Sequence, residues 1–172
     1  MAQTTESMSH LRFPLNGSPV SFGPALRYEV AISIFSGNIL WTSGPHLPGE
    51  MNDLTIFREE LMGKLDDGER VEADKGYGGE PAYIDTPGDC LGWGEGYSSE
   101  MEKGQYALKA LLRGRHETIN RRLKSWNALG RMFRHDVALH LHVFEAVVVI
   151  TQLQIQYGAF IWNIGDEYTT RM

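Results

Sequence analysis

Asp74 and Glu117 are the two carboxylates whose surroundings suit chemistry. Asp74 closes the run Arg70 to Ala73 and is followed at once by Lys75, Gly76, Tyr77, Gly78 and Gly79. A strand fixes such a side chain, and a loop of small residues lets a substrate approach it. Glu117 comes forty-three residues later in a stretch of helix formers, with Asn120, Arg121 and Lys124 at spacings of three and four that share its face. Two acids held this way offer the oxygen ligands that Mg²⁺ or Mn²⁺ prefer. Two such ions about 3.5 to 4 Å apart activate water and stabilise the leaving oxygen when a phosphodiester is cleaved. Arg121, Arg122 and Lys124 are cations whose charge suits the phosphates of a nucleic acid.

The elements that must position these groups are legible in part. Leu26, Tyr28, Val30, Ile32 and Ile34 alternate with Arg27, Glu29, Ala31 and Ser33, which predicts a strand over 26–35. Ser36, Gly37 and Asn38 supply a turn, and Ile39, Leu40 and Trp41 the returning strand. Two prolines and two glycines make 43–50 a loop. Asn52 or Asp53 caps a helix whose apolar residues are Leu54, Phe57, Leu61 and Leu65. A short strand over 70–73 delivers Asp74, and Ala82 to Ile84 form one further pairing segment. From Ser99 to Trp126 the composition is helical, with a break expected near Gly114. The apolar run Val137 to Tyr157 is long enough to favour helix over strand. Before Leu26, only His10 to Leu15 offers a short strand.

Other groupings carry less. His135, Asp136, His140 and His142 would suit a transition metal on a strand, but on a helix His140 and His142 diverge by about 200°, so capping and packing roles are expected. His116 and Glu117 begin a zinc-protease pattern that Asn120 ends. Gly76, Gly78 and Gly79 lack the spacing of a phosphate-binding loop. Cys90 has no histidine nearby in sequence to activate it, and Tyr77 is expected to pack. Glu72 shares the strand face of Asp74 by period two but lies deeper, and Glu80 flanks the loop.

Composition sets the frame. With 172 residues and 42% hydrophobic content, one domain can build its own core. A single cysteine excludes an internal disulfide and fits an intracellular, reducing compartment. The amino-terminal residues show neither a signal peptide nor a spanning helix, and no membrane partner is expected. The net charge of -6 argues against nucleic acid, yet its distribution does not. Between Lys103 and Arg134 stand nine basic residues against Glu117 alone, which implies one cationic face on an acidic protein.

Several runs also resemble, in order, the DDE superfamily endonuclease domain of Harbinger-like transposases. These are Leu26 to Val30 (LRYEV), Ser43 to Pro45 (SGP), Asn52 to Arg58 (NDLTIFR), Glu69 to Glu80 (ERVEADKGYGGE), Arg115 to Trp126 (RHETINRRLKSW) and Phe133 to Asp136 (FRHD). The most specific pieces are Ala73 to Tyr77 and Glu117 with Asn120, Arg121 and Lys124. The resemblance implies an α/β, RNase H-like mixed sheet flanked by helices. It also implies divalent-metal-dependent DNA cleavage and transfer with Asp74 as second acid and Glu117 as third, and a nuclear location. The family's first acid sits in an Asp-Gly-Thr-like motif upstream of the hairpin, whereas this chain has no aspartate before Asp53. Ser7 falls at the acid's position with Glu6 beside it. The expectation is an incomplete first strand within an irregular 1–21 segment, a nuclease-like domain over 22–157 and a tail over 158–172. Impaired cleavage follows, with DNA and a separate DNA-binding protein as expected partners. The alternative is a non-catalytic DNA- or protein-binding module on the same fold.

Overall fold

The computed structural model describes residues 3–12, 25–47, 49–86, 100–159 and 161. Within them, five strands form one sheet in the order β3-β2-β1-β4-β5. Strand β1 spans Gln3–Arg12, β2 Ala25–Ser33 and β3 Ile39–His46. These three form an antiparallel meander, with Ser7 opposite Glu29 and Val30 opposite Thr42. Two short strands, β4 (Val71–Ala73) and β5 (Ile84–Asp85), extend it in parallel, with Thr5 opposite Ala73 and Val71 opposite Ile84. The sheet is therefore mixed, and helices flank it.

The alternation along β2 buries both of its faces. Leu26, Tyr28, Val30 and Ile32 enter one core with Ile119 and Leu123 of α2 (Glu100–Ser125), Leu129 of α3 (Asn127–Gly130), and Phe144, Val147 and Ile155 of α4 (His140–Gln156). Tyr28 stacks on Phe144 with ring centroids 3.9 Å apart, and its hydroxyl meets His140 Nδ1 at 2.8 Å. Ala31 turns to the opposite core, shared with Phe57, Leu61, Val71, Ala73, Tyr77 and Ile84. That second layer is the helical segment opened by α1 (Asp53–Ile56), which widens into a π-helical stretch over Phe57–Leu61 and tightens into a 3-10 turn over Met62–Lys64. Asn52 starts it, its side chain accepting from Thr55 N at 2.8 Å.

The structure corrects three sequence expectations and decides between two capping candidates. The first strand is ten residues long and lies in the middle of the sheet, beginning at Gln3 rather than His10. Its partners β2 and β4 supply the hydrogen bonds that a weak alternation alone did not predict. Strand β3 continues to His46, because pairing with β2 tolerates the Gly44-Pro45 step at the sheet edge. Helix α2 runs through Gly114 unbroken. A single internal glycine costs only about 1 kcal/mol, less than the burial of Leu112, Ile119 and Leu123 on this helix returns. Asp53 leaves the capping role to Asn52.

The histidine-rich segment takes ordinary structural roles. Asp136 accepts from Ala138 N at 3.0 Å, and His140 is buried against Tyr28 and Phe133. The segment Val137–Gln156 is apolar and long enough to cross a bilayer, with mean hydropathy 1.4, but here it packs on the sheet through Phe144, Val147 and Ile155.

Candidate carboxylate site

Asp74 stands at the carboxyl end of β4, exposed, as its place after Ala73 requires. Its Oδ1 accepts from Gly76 N at 2.7 Å, an Asx turn that starts the 3-10 turn Lys75–Tyr77. A methyl group placed on Gly76 would lie 2.7 Å from Asp53 Oδ2 and 3.0 Å from Asp74 Oδ1. Glycine at 76 is thus what lets these two carboxylates border one space. The neighbour of Asp74 is Asp53, a residue whose sequence context suggested only a cap.

Asp53 is held from its other side by Arg27, whose Nη1 donates to Asp53 Oδ1 at 2.8 Å while Nη2 donates to Met51 O at 2.7 Å. Burial pushes the Asp53 carboxyl up, Arg27 draws it back, and the negative charge of Asp74 pushes it up again. Deeper in the same layer lies Glu29, 1% exposed and 3.9 Å from Arg27. Burial lifts its carboxyl to about 7, against smaller opposing pulls from Tyr77 and Arg27. The Tyr77 hydroxyl is near enough to act on Glu29 electrostatically, but neither it nor Glu29 Oε1 has a partner in hydrogen-bonding geometry among the described residues. Sequence reading placed Glu29 on a polar face. The signal it held was that the same face also carries the small residues Ala31 and Ser33, which suit a buried face.

The raised carboxyl makes stability depend on pH. In the unfolded chain Glu29 ionises near 4.5 and in the fold near 7. Between these values the fold binds the extra proton, so this contribution is complete below about 4.5 and lost as pH rises through 7. Glu29→Gln removes the titration. Its melting temperature is expected to fall less than that of the wild type between pH 5 and pH 8, a difference worth roughly 2–3 kcal/mol. Parallel pH profiles for the two proteins would refute the assignment.

A second polar group lies at the end of β3. Ser43 Oγ meets His46 Nε2 at 2.7 Å and donates to Glu60 Oε2. Burial holds the His46 imidazole below its usual range. Glu60 contacts the serine rather than the far nitrogen of the histidine, so the acid does not orient the base as a nucleophilic relay needs.

Glu117 is exposed on α2 and has no hydrogen bond or ion pair among the described residues. Flanking Arg115 and His116 reach the carbonyls of Ile34 in the β2–β3 turn and of Val30 in β2, and Ile119 and Leu123 join the core opposite the one that holds Tyr77. Among the described residues, no three His, Cys, Asp or Glu side chains gather as a metal ion would need. Asp53 and Asp74 offer oxygen donors, but Asp53 is already engaged by Arg27 and Glu29 retains its proton toward neutral pH. This set does not fit a pair of divalent ions.

The cationic face is thinner than the sequence suggests. Arg115 is buried, and Arg122 donates to the Ala159 carbonyl. Asn120 is buried as well, at 8% exposure, and so leaves the face that Glu117 shares with Arg121 and Lys124. Arg121 and Lys124 remain exposed. Cys90 lies outside the described residues. No family model matches the chain, and no curated protein or solved structure matches it either.

Proposed function

We propose that this chain is a transposase-derived DDE nuclease domain of RNase H-like architecture that retains a DNA-facing helix and has lost most of its capacity to cleave. The observation that carries the reading is Asp74 at the end of β4, bordering a second carboxylate across Gly76, on a mixed sheet whose antiparallel meander is extended by parallel strands. A sheet of that kind, flanked by helices, is what an RNase H-like fold requires. Exposed Arg121 and Lys124 support duplex DNA as partner.

Impairment follows from charge. In the reading by resemblance, the first acid belongs on β1, where Ser7 pairs with Glu29 in register. A neutral hydroxyl there cannot offset divalent cations, and Glu29 is itself protonated toward neutral pH. Residues Asp74 and Glu117 would hold Mg²⁺ or Mn²⁺ only weakly. The absence of a three-acid group among the described residues also favours the second reading, a non-catalytic DNA-binding module on the same fold.

Plasmid nicking with Mg²⁺ or Mn²⁺, run beside duplex binding at several salt concentrations, tests both. Nicking no faster than the Asp74→Asn variant, with duplex affinity that falls with salt, is the expected result. Robust nicking abolished by Asp74→Asn would overturn impairment, and duplex affinity indifferent to salt would overturn the DNA reading.

A further inference from the structure

The segment that follows α2 forms a cleft of about 350 Å³ lined by Asn127, Arg131, Met132 and Arg134. Its making is local. Phe133 is buried and packs its ring edge-on against His140, with centroids 4.7 Å apart, which pins the chain and turns Arg131, Met132 and Arg134 outward. Gly130 brings this segment onto the last turn of α2, since a methyl group there would lie 2.0 Å from Lys124 O. The cleft therefore opens beside the helix end that carries Arg121 and Lys124.

The run that forms the cleft is basic in sequence. No acid occurs from Thr118 to His135. The next one, Asp136, caps the following turn, accepting from Ala138 N at 3.0 Å. Arg131 and Arg134 are exposed, and their guanidinium groups have no partner among the described residues. A guanidinium fork matches phosphate oxygens two at a time. Trp126, which precedes the lining residue Asn127 in the chain, is 36% exposed, and Met132 adds apolar surface in the cleft at 50%. Two cations in a cleft with an exposed aromatic one residue from its lining suit a strand that offers both phosphates and unpaired bases. A concave space of this size admits about one nucleotide, whereas a duplex presents a convex surface.

We propose that the cleft binds single-stranded nucleic acid, with Arg131 and Arg134 on the backbone phosphate and Trp126 stacked on a base. This goes beyond the duplex-DNA reading and uses none of its carboxylates. Fluorescence anisotropy of the whole chain with labelled oligothymidylate, a matched duplex, and unlabelled pyrophosphate as competitor tests it. The strand is expected to bind more tightly than the duplex. Arg131→Gln together with Arg134→Gln weakens strand binding about tenfold or more and lowers the salt slope by about 1.4. Trp126→Leu, which keeps apolar bulk, weakens it by about tenfold. Melting temperatures of the variants show that each is folded.

Strand affinity of the double variant within twofold of the wild type overturns the proposal. So does displacement by pyrophosphate combined with a silent Trp126→Leu, which marks a site for free phosphate. Failure to bind the strand at all overturns it too. Duplex binding that survives the double variant leaves the earlier reading in place, while strand binding without duplex binding removes that reading and keeps this one.

Discussion

Replacing Arg115 with alanine is expected to destabilise the fold by roughly 3–5 kcal/mol. The guanidinium is 1% exposed and lies over the turn of the β2–β3 hairpin. Its Nη1 donates to Ile34 O and, at 3.3 Å, to Phe35 O, and Nη2 donates to Phe35 O at 3.4 Å. Among the described residues no carboxylate pairs with it, so carbonyl dipoles carry the compensation and burial lowers its pKa. Truncation leaves the buried Ile34 carbonyl without its donor and opens a cavity beneath the turn. Arg115→Met keeps the volume but not the donors and should fall between alanine and wild type. Urea midpoints of the three proteins at equal m-value would check this, and an alanine variant within about 1 kcal/mol of wild type would show that the hairpin closes without the arginine.

Gly130→Ala is expected to cost roughly 3 kcal/mol or more. Replacing a helical glycine with alanine ordinarily stabilises, by up to about 1 kcal/mol, but here the added methyl meets a backbone oxygen 2.0 Å away at Lys124. A flexible side chain could swing aside; the carbonyl of a helix cannot. Relief requires α3 to lift from the end of α2, which carries Leu129 out of the core and Arg131 away from the cleft. The expected result is a lower melting temperature together with weaker strand binding. A variant as stable as the wild type would show that α3 and α2 are not held at this distance.

The sequence disclosed those parts of the fold where one side chain pattern decides the outcome. The period-two run from Leu26 to Ile34 defined β2, and the length of the apolar run after Val137 settled on helix, as found over His140–Gln156. What stayed hidden depended on partners distant in the chain. Strand β1 owes its length to β2 on one side and β4 on the other, and its own residues alternate poorly. Gly114 reads as a break because propensity is local, whereas the burial that holds α2 straight is not. At the site, Asp74 was legible from its glycine loop, but Asp53 reached it only through the fold of α1 against β2. Arg115 shows the converse error. Counted by charge, it belongs to a solvent-facing cationic stretch; placed by the hairpin, it is among the largest fully buried side chains. Among the described residues, the exposed cations of this stretch include Arg121, Lys124, Arg131 and Arg134.

The central place of β1 bears on how the chain acquires its structure during synthesis. The meander of β1, β2 and β3 involves only residues up to His46, so it can assemble while the remainder is still emerging. The other edge of β1 then waits for β4, whose Val71 pairs with Gln3 across a long stretch of chain. Until that parallel pairing closes, a row of backbone donors and acceptors lies open to any neighbouring strand. Pairings between such distant residues form late, so slow translation or crowded expression should expose this chain to aggregation at β1 before its charged helices arrive to cover the sheet.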